Sequence, residues 1–292
     1  MTEPSNPREP ERQVPERVLG EPTTEEFIGT KDLTRWSRLG QGMARLAIRS
    51  SRYVSAHSVL VISAAIGLLL VCGLTAISAE IYDNVKDHDE LASLDVPVLE
   101  LSMSLRTTTN VVVAQFLTNL GGPVGLTVIL IVVVAIMTIV WRSRTPLILM
   151  VIGMGGSLLM TAVGKELVGR ARPPEADAVP PYETSPSFPS GHALNNTVAA
   201  CLVAYLLLLH LTSLLLRIVS VVLAVVWFVV IGLTRVFLGY HWLTDVMVGW
   251  ALGLAWVALI ITSHRLFLTV RGEHRHGVVP SSTPSATGPP VS

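Results

Sequence analysis

The amino-acid sequence predicts an all-α integral membrane protein, built as a six-transmembrane-helix bundle with a short interfacial helix. Half of the 292 residues are hydrophobic and only 14% are charged, whereas soluble domains carry about 25% charged residues. Segments without Asp, Glu, Lys or Arg are long, and they run over 53–79, 107–141, 145–164, 184–216, 218–234 and 246–264. Because a helix needs about 20 mostly apolar residues to cross the bilayer core, segments of this kind predict membrane spans.

The spans divide the chain into one membrane domain and two tails. Allowing for helix ends, we predict spans at 57–79, 122–141, 146–164, 193–211, 214–234 and 243–263. The membrane domain then covers 53–264. Residues 1–52 and 265–292 lack helical or strand periodicity and are rich in polar residues and proline, so we expect disordered tails. The first span lies far from Met1 and has full span length, which predicts an uncleaved signal anchor.

The segment 107–121 differs from the spans around it. It carries several Thr, Asn and Gln residues, while Val113, Phe116, Leu117 and Leu120 share one helical face. Glycines and a proline then end the pattern at 121–123. These features predict a short helix in the membrane interface rather than a further crossing.

The charges on the loops predict the orientation of the chain. The loop after the first span carries seven acidic residues and only Lys86 and Arg106 as opposing charges. The connections on the opposite side, after the second, fourth and sixth spans, carry Arg: Arg142 and Arg144, then Arg217, then Arg265 and Arg271. By the positive-inside rule, both termini are expected to be cytoplasmic in a multi-pass protein of the cell membrane. With 21 basic and 21 acidic residues the chain has no positive excess, which argues against a nucleic-acid partner.

Three motifs fall on the predicted outward side, at the ends of spans. They are Lys165-x6-Arg172-Pro173, then Pro189-Ser190-Gly191-His192, and then Arg235-x5-His241-x3-Asp245. Taken singly, each has an ordinary interpretation: basic residues that reach the interface, a helix cap, or a structural His–Asp pair one turn apart.

Taken together, the motifs indicate phosphoryl transfer. Lys165, Arg172 and Arg235 offer three positive charges for a phosphate group, which carries about −1.5 to −2. Ser190 and Gly191 would present the N-terminus of a helix to the same anion. Asp245 is placed to orient His241 as a nucleophile, and His192 is placed to move protons.

In order and spacing, these motifs resemble the signature of the type 2 phosphatidic acid phosphatase family. The resemblance covers about residues 57–263. It implies that His241 forms a phosphohistidine, that Asp245 orients it, and that His192 protonates the leaving group and later activates water. It also implies that Lys165, Arg172, Ser190, Gly191 and Arg235 bind the phosphoryl oxygens, with no metal and no cofactor. The family has Ser before the arginine of the third motif, where this chain has Thr234.

The resemblance implies an enzyme that acts on a lipid phosphate or lipid pyrophosphate on the extracytoplasmic side of the membrane. Undecaprenyl pyrophosphate is the first candidate substrate, with phosphatidic acid and phosphatidylglycerol phosphate close behind. The alternative is a non-catalytic protein of the same fold that binds or transports lipid phosphates. A haloperoxidase is disfavoured because those relatives are soluble. The sequence leaves the head group and the oligomeric state open.

Overall fold

The computed structural model describes residues 92–276 and two short strands near the N-terminus. The strands, β1 (Phe27–Ile28) and β2 (Lys31–Asp32), pair in antiparallel register. The first predicted span at 57–79, most of the N-terminal tail and the last part of the C-terminal tail lie outside the described residues. The signal-anchor prediction falls there as well.

The segment 92–276 is mainly helical. Its helices are α1 (Asp95–Ser104), α2 (Thr108–Leu120), α3 (Pro123–Trp141), α4 (Thr145–Val168), α5 (Gly191–His210), α6 (Leu214–Phe237) and α7 (Leu243–His276). Single 3₁₀ turns lie at Ala92–Leu94, directly before α1, and at Glu175–Asp177, between α4 and α5.

Five of these helices are long and apolar enough to cross a membrane. They are α3, α4, α5, α6 and the segment Leu243–Leu268 of α7. They correspond to the second to sixth predicted spans, so the all-α, multi-pass prediction is confirmed for the described residues. Three helices end later than predicted: α4 continues to Val168, α6 continues to Phe237, and α7 continues past residue 264 to His276.

The short helix predicted at 107–121 is present as α2. It begins where the Thr107 side chain accepts a hydrogen bond from the Asn110 backbone N–H at 3.2 Å, a regular N-cap. Helix α1 was not predicted, since its residues fell in the acidic outward loop. Its polar and apolar residues are spread around the helix rather than separated into two faces, so the sequence offers no periodic signal there.

Helix α5 is the centre of the bundle and packs against α4, α6 and α7. Two glycines of α7 permit close packing: a Cβ on Gly249 would lie 2.9 Å from Ala193 Cβ, and one on Gly253 would lie 2.8 Å from Thr197 Cβ. The contacts advance in the same direction along both helices, so α5 and α7 are parallel. Their N-termini therefore share one end of the bundle, where α4 and α6 end. All three sequence motifs meet at that end.

Candidate active site

The turn between α6 and α7 fixes the position of His241. Gly239 adopts φ +76°, a left-handed conformation that favours glycine, and a Cβ there would lie 2.5 Å from the Asp177 carbonyl oxygen. The chain then folds back, so that the Tyr240 and His241 backbone N–H groups both donate to the Arg235 carbonyl, at 2.9 and 3.2 Å. Arg235 and His241 of the third motif thus become neighbours in space.

Asp245 faces His241 from the first turn of α7. Its Oδ2 atom accepts a hydrogen bond from the Trp242 backbone N–H at 3.0 Å, which satisfies a free donor at the start of the helix. His241 Nδ1 lies 3.6 Å from the same oxygen, which is too long for a hydrogen bond. Ser187 joins the two residues: its Oγ donates to Asp245 Oδ2 at 2.5 Å and lies 3.3 Å from His241 Nδ1.

This chain of contacts defines which ring nitrogen is available for chemistry. Since the Ser187 hydroxyl donates its hydrogen bond to Asp245, its oxygen can accept a hydrogen bond from the Nδ1–H group of His241. The lone pair is then on Nε2, which lies 3.4 Å from Arg172 Nη1. Burial lowers the pKa of His241 to about 4, helped by Arg235 and Arg172 and opposed by Asp245. His241 is therefore neutral near pH 7, as a nucleophile must be.

The three cations of the motifs lie at the same end of the bundle as His241. The Arg172 Nε donates to the Ser185 carbonyl at 2.6 Å, and its Nη1 donates to the Tyr240 carbonyl at 2.5 Å. Arg235 is only 2% exposed; its Nη1 donates to Thr118 Oγ1 at 2.9 Å, and its guanidinium lies 4.4 Å above the Tyr240 ring. Lys165, at the end of α4, donates to Ser185 Oγ at 2.8 Å.

Glu183 occupies the space between two of these cations. One carboxylate oxygen lies 2.8 Å from Arg172 Nη2, and the other contacts Arg235 Nη2. Burial alone would raise the pKa of Glu183, but Arg235 and Arg172 outweigh it and lower the pKa to about 2. A carboxylate thus bridges the two guanidiniums that the sequence assigns to a phosphate group.

The second motif forms the start of α5. Ser190 is fully buried and caps the helix, with its Oγ accepting from the Ala193 backbone N–H at 3.5 Å. Gly191 and His192 follow and line a cavity together with His241 and other site residues. His192 interacts electrostatically with Arg235, Glu183 and His241. Thr234, the departure from the family pattern, donates its hydroxyl to the Ile231 carbonyl at 2.6 Å within α6.

Two cavities meet at Glu183. The larger, about 840 Å³, begins at Lys165, His192 and His241 and extends between α3 and α4 along apolar side chains: Leu126, Leu130, Val134, Met150, Met154 and Leu158. The smaller, about 470 Å³, is lined by the α4–α5 loop, including Arg172, and by Gly239 and Tyr240. The site is therefore open to an apolar chain on one side and to polar groups on the other.

Five further residues of the site were not singled out from the sequence. Arg170 and Ser187 lie inside or beside the motifs, so proximity is a signal that could have found them. Asp95, Thr118 and Glu183 lie outside the motifs, in segments interpreted as a loop or as an interfacial helix, and no spacing rule links them to the site. Only the folded chain brings them to His241 and the arginines.

Comparison with known proteins agrees with this geometry. Residues 146–267 match the model of the PAP2 superfamily. The chain is 37% identical over 130 residues to phosphatidylglycerophosphatase B of Bacillus subtilis (strain 168), an alignment that covers 43% of this chain and 61% of that protein. The chain therefore spans about three fifths of that relative's length.

A solved structure shares the fold. It is the crystal structure of a transmembrane PAP2 type phosphatidylglycerolphosphate phosphatase from Bacillus subtilis. It aligns with a TM-score of 0.57 and 29% sequence identity over 67% of this chain and 92% of that chain. The family resemblance inferred from the motifs is confirmed by these matches to the PAP2 superfamily model and to its relatives.

Proposed function

We propose that this chain is a membrane-bound lipid phosphatase of the PAP2 superfamily that transfers the phosphoryl group to His241 without the help of a metal ion. One observation carries the proposal: a buried, neutral histidine directs Nε2 toward a cluster of cations at the mouth of an apolar cavity. The cations suit a phosphate group and the cavity suits the chains of a lipid.

The reaction proceeds in two steps. His241 Nε2 attacks phosphorus, the bond from phosphorus to the lipid oxygen breaks, and His192 donates a proton to the leaving alkoxide. His192 then takes a proton from water, whose oxygen attacks the phosphohistidine and releases inorganic phosphate with His241 restored. Arg172, Arg235 and Lys165 stabilise the charge on the phosphoryl oxygens in both transition states. Asp245 supports the positive ring of the intermediate through its contact with Nδ1.

Phosphatidylglycerophosphate is the first candidate substrate. The support comes from the relatives, whose names describe phosphatidylglycerophosphate phosphatases. This choice differs from the expectation based on the motifs, which put undecaprenyl pyrophosphate first. Both lipids present a terminal phosphate and apolar chains, so the cavity alone does not choose between them.

The proposed orientation follows the loop charges. We place both termini in the cytoplasm, so that the site end of the bundle faces the extracytoplasmic side. The apolar cavity extends between α3 and α4 toward the bilayer interior, which supports entry of the substrate from the membrane rather than from water.

The test is phosphate release by the detergent-purified full-length protein in the presence of EDTA. The substrates are phosphatidylglycerophosphate, phosphatidic acid and undecaprenyl pyrophosphate, presented in matched mixed micelles. We expect phosphate release that resists EDTA and is fastest with phosphatidylglycerophosphate.

Faster release from undecaprenyl pyrophosphate would contradict the proposed substrate but leave the proposed mechanism in place. Loss of release with EDTA would contradict the metal-independent mechanism. Binding of a lipid without release would contradict the phosphatase and favour a binding or transport protein.

A further inference from the structure

We infer that Asp95 and Arg170 are positioning residues, which hold the carboxylate of Asp245 in place and so control the reactivity of His241. The inference rests on the proposed function. It assigns a role to α1, a helix outside the three motifs and outside the residues matched to the family.

Arg170 links two carboxylates. Its Nη1 atom lies 2.6 Å from Asp245 Oδ1, and its Nη2 atom lies 2.7 Å from Asp95 Oδ2. The three side chains are 10%, 0% and 4% exposed for Arg170, Asp245 and Asp95. Ion pairs buried to this degree are held much more firmly than pairs on a surface, because losing either partner leaves an uncompensated charge.

Asp95 also fixes the start of the helix that carries Asp245. Its Oδ1 accepts a hydrogen bond from the Thr244 backbone N–H at 2.9 Å, and its Oδ2 accepts one from the Thr244 hydroxyl at 2.7 Å. Thr244 precedes Asp245 directly in the chain. Asp95 therefore holds Asp245 by two routes, through Arg170 and through the first turn of α7.

The two oxygens of Asp245 have separate partners. Oδ1 receives Arg170, while Oδ2 receives the Ser187 hydroxyl and the Trp242 N–H and faces His241. Because Arg170 occupies Oδ1, the carboxylate plane is fixed and Oδ2 stays directed at the imidazole. Loss of that constraint would let the carboxylate rotate away from Ser187 and His241.

Charge adds to this geometric effect. Asp95, Arg170 and Asp245 together carry one net negative charge, which stabilises the positive ring that His241 develops on phosphorylation. Replacing Asp95 by Asn makes the group neutral. The other charged or titratable groups around His241, on the elements packed against it, are Arg172, Glu183, His192 and Arg235.

The experiment compares Asp95→Asn with Glu100→Gln. Glu100 lies on the same helix, is exposed, and undergoes the same change of charge. With phosphatidylglycerophosphate as substrate, we expect kcat of Asp95→Asn to fall about tenfold. This is the lower end of the loss seen when a residue that orients an active-site side chain is replaced. KM and the inhibition constant of inorganic phosphate are expected to stay within about twofold, since Asp95 acts on the chemical step and not on phosphate binding. Glu100→Gln is expected to match the wild type.

A purely structural role would give a different result. General loosening of the site would weaken phosphate binding together with kcat, because Arg170 and the phosphate-binding Arg172 share one loop. Such a parallel loss, an equal loss in Glu100→Gln, or a folded Asp95→Asn with wild-type kcat would each overturn the inference.

A second variant decides the question where Asp95→Asn fails to fold, as judged by its thermal midpoint in detergent. Arg170→Lys keeps the positive charge, but a single ammonium cannot hold both carboxylates in a fork. We expect the same loss of kcat at constant KM, and wild-type kcat would overturn the inference. An inactive wild type would overturn the proposed function as well, whereas an active wild type with unaffected variants would overturn only the positioning role.

Discussion

His241 and His264 are both buried histidines: His241 lies just before α7, and His264 lies within α7 near the opposite side of the bundle. They are 2% and 7% exposed, and each has a hydroxyl close to its Nδ1 atom. For His241 the hydroxyl belongs to Ser187, and for His264 it belongs to Tyr205, at 2.8 Å. The 22 residues from Leu243 to His264 make about 30 Å of helix, the thickness of a bilayer core.

The surroundings of the two rings differ in charge and in access. The Ser187 hydroxyl donates a hydrogen bond to the Asp245 carboxylate, and the Arg172 guanidinium approaches the Nε2 side of the His241 ring. The Tyr205 hydroxyl belongs to a neutral phenol in the packed core between α5 and α7. His241 also lines the apolar cavity, whereas His264 does not. Burial and a hydrogen bond are common to both, so the carboxylate, the cations and the cavity distinguish an active-site histidine from a structural one.

Replacing each histidine by alanine gives the strongest test of this contrast. We expect His241→Ala to lower phosphate release by more than about 10³-fold, because the covalent route disappears with the nucleophile. We expect His264→Ala to keep kcat within about twofold, with any cost appearing as a lower thermal midpoint. Phosphate release and melting in detergent, measured on both variants, check the prediction.

The contrast fails if the two variants behave alike. Substantial release by a folded His241→Ala protein would contradict the assignment of the nucleophile. A loss of release in His264→Ala at an unchanged thermal midpoint would show that chemistry extends to the other end of the bundle.

The sequence predicts the motif residues around His241 better than it predicts the rest of the site. The sequence singles out His192, His241, Asp245 and the three cations because they lie in short motifs at span ends, where charged residues are rare and are candidates for a functional site. Five of the six spans were found because apolar length is a strong signal, and the first predicted span lies outside the described residues. Because one predicted span separates His241 from His264, counting spans also places these two histidines on opposite sides of the membrane.

What the sequence could not provide is pairing across long distances. Asp95 contacts Arg170 across 75 residues, and Arg235 contacts Thr118 across 117 residues. Asp95 and Thr118 are ordinary polar residues in segments without special spacing. Their roles arise from the packing of α1 and α2 against α6 and α7, which no local pattern encodes.

A second test compares the two ends of α6. Arg235 lies in its last turn, inside the site, and Arg217 lies in its first turn, at the opposite end of the bundle. We expect Arg235→Ala to lower kcat/KM by about 10²–10³-fold, the usual cost of losing one preorganised donor to a transition state. We expect Arg217→Gln to stay within about twofold in correctly inserted protein. Equal effects of the two substitutions would contradict a phosphate-binding role for Arg235.

The last and smallest effect concerns Glu183, whose carboxylate makes the site different from a cluster of cations alone. Its pKa is lowered to about 2, mainly by Arg235 and Arg172 acting against burial, so the group stays ionised at any pH used for an assay. A phosphate group that binds to the same guanidiniums must therefore displace a charged carboxylate. Glu183→Gln keeps the shape and the acceptor oxygen but removes the charge, and charged hydrogen bonds are about twice as strong as neutral ones.

We expect the inhibition constant of inorganic phosphate to fall about tenfold in Glu183→Gln, which corresponds to replacing charged by neutral hydrogen bonds. Glu175→Gln is the matched control, since Glu175 is exposed on the same loop and lines the same polar cavity. The lipid product is measured by chromatography, so that added phosphate does not interfere. The gain in phosphate affinity should be the same at pH 5 and pH 7 at equal concentrations of phosphate dianion, because a pKa of about 2 leaves Glu183 charged at both values.

An unchanged inhibition constant would mean that phosphate and Glu183 use different faces of the two arginines. In that case Glu183 would hold the arginines in position without competing for them, and the phosphate would be expected beside Lys165 and His192 instead.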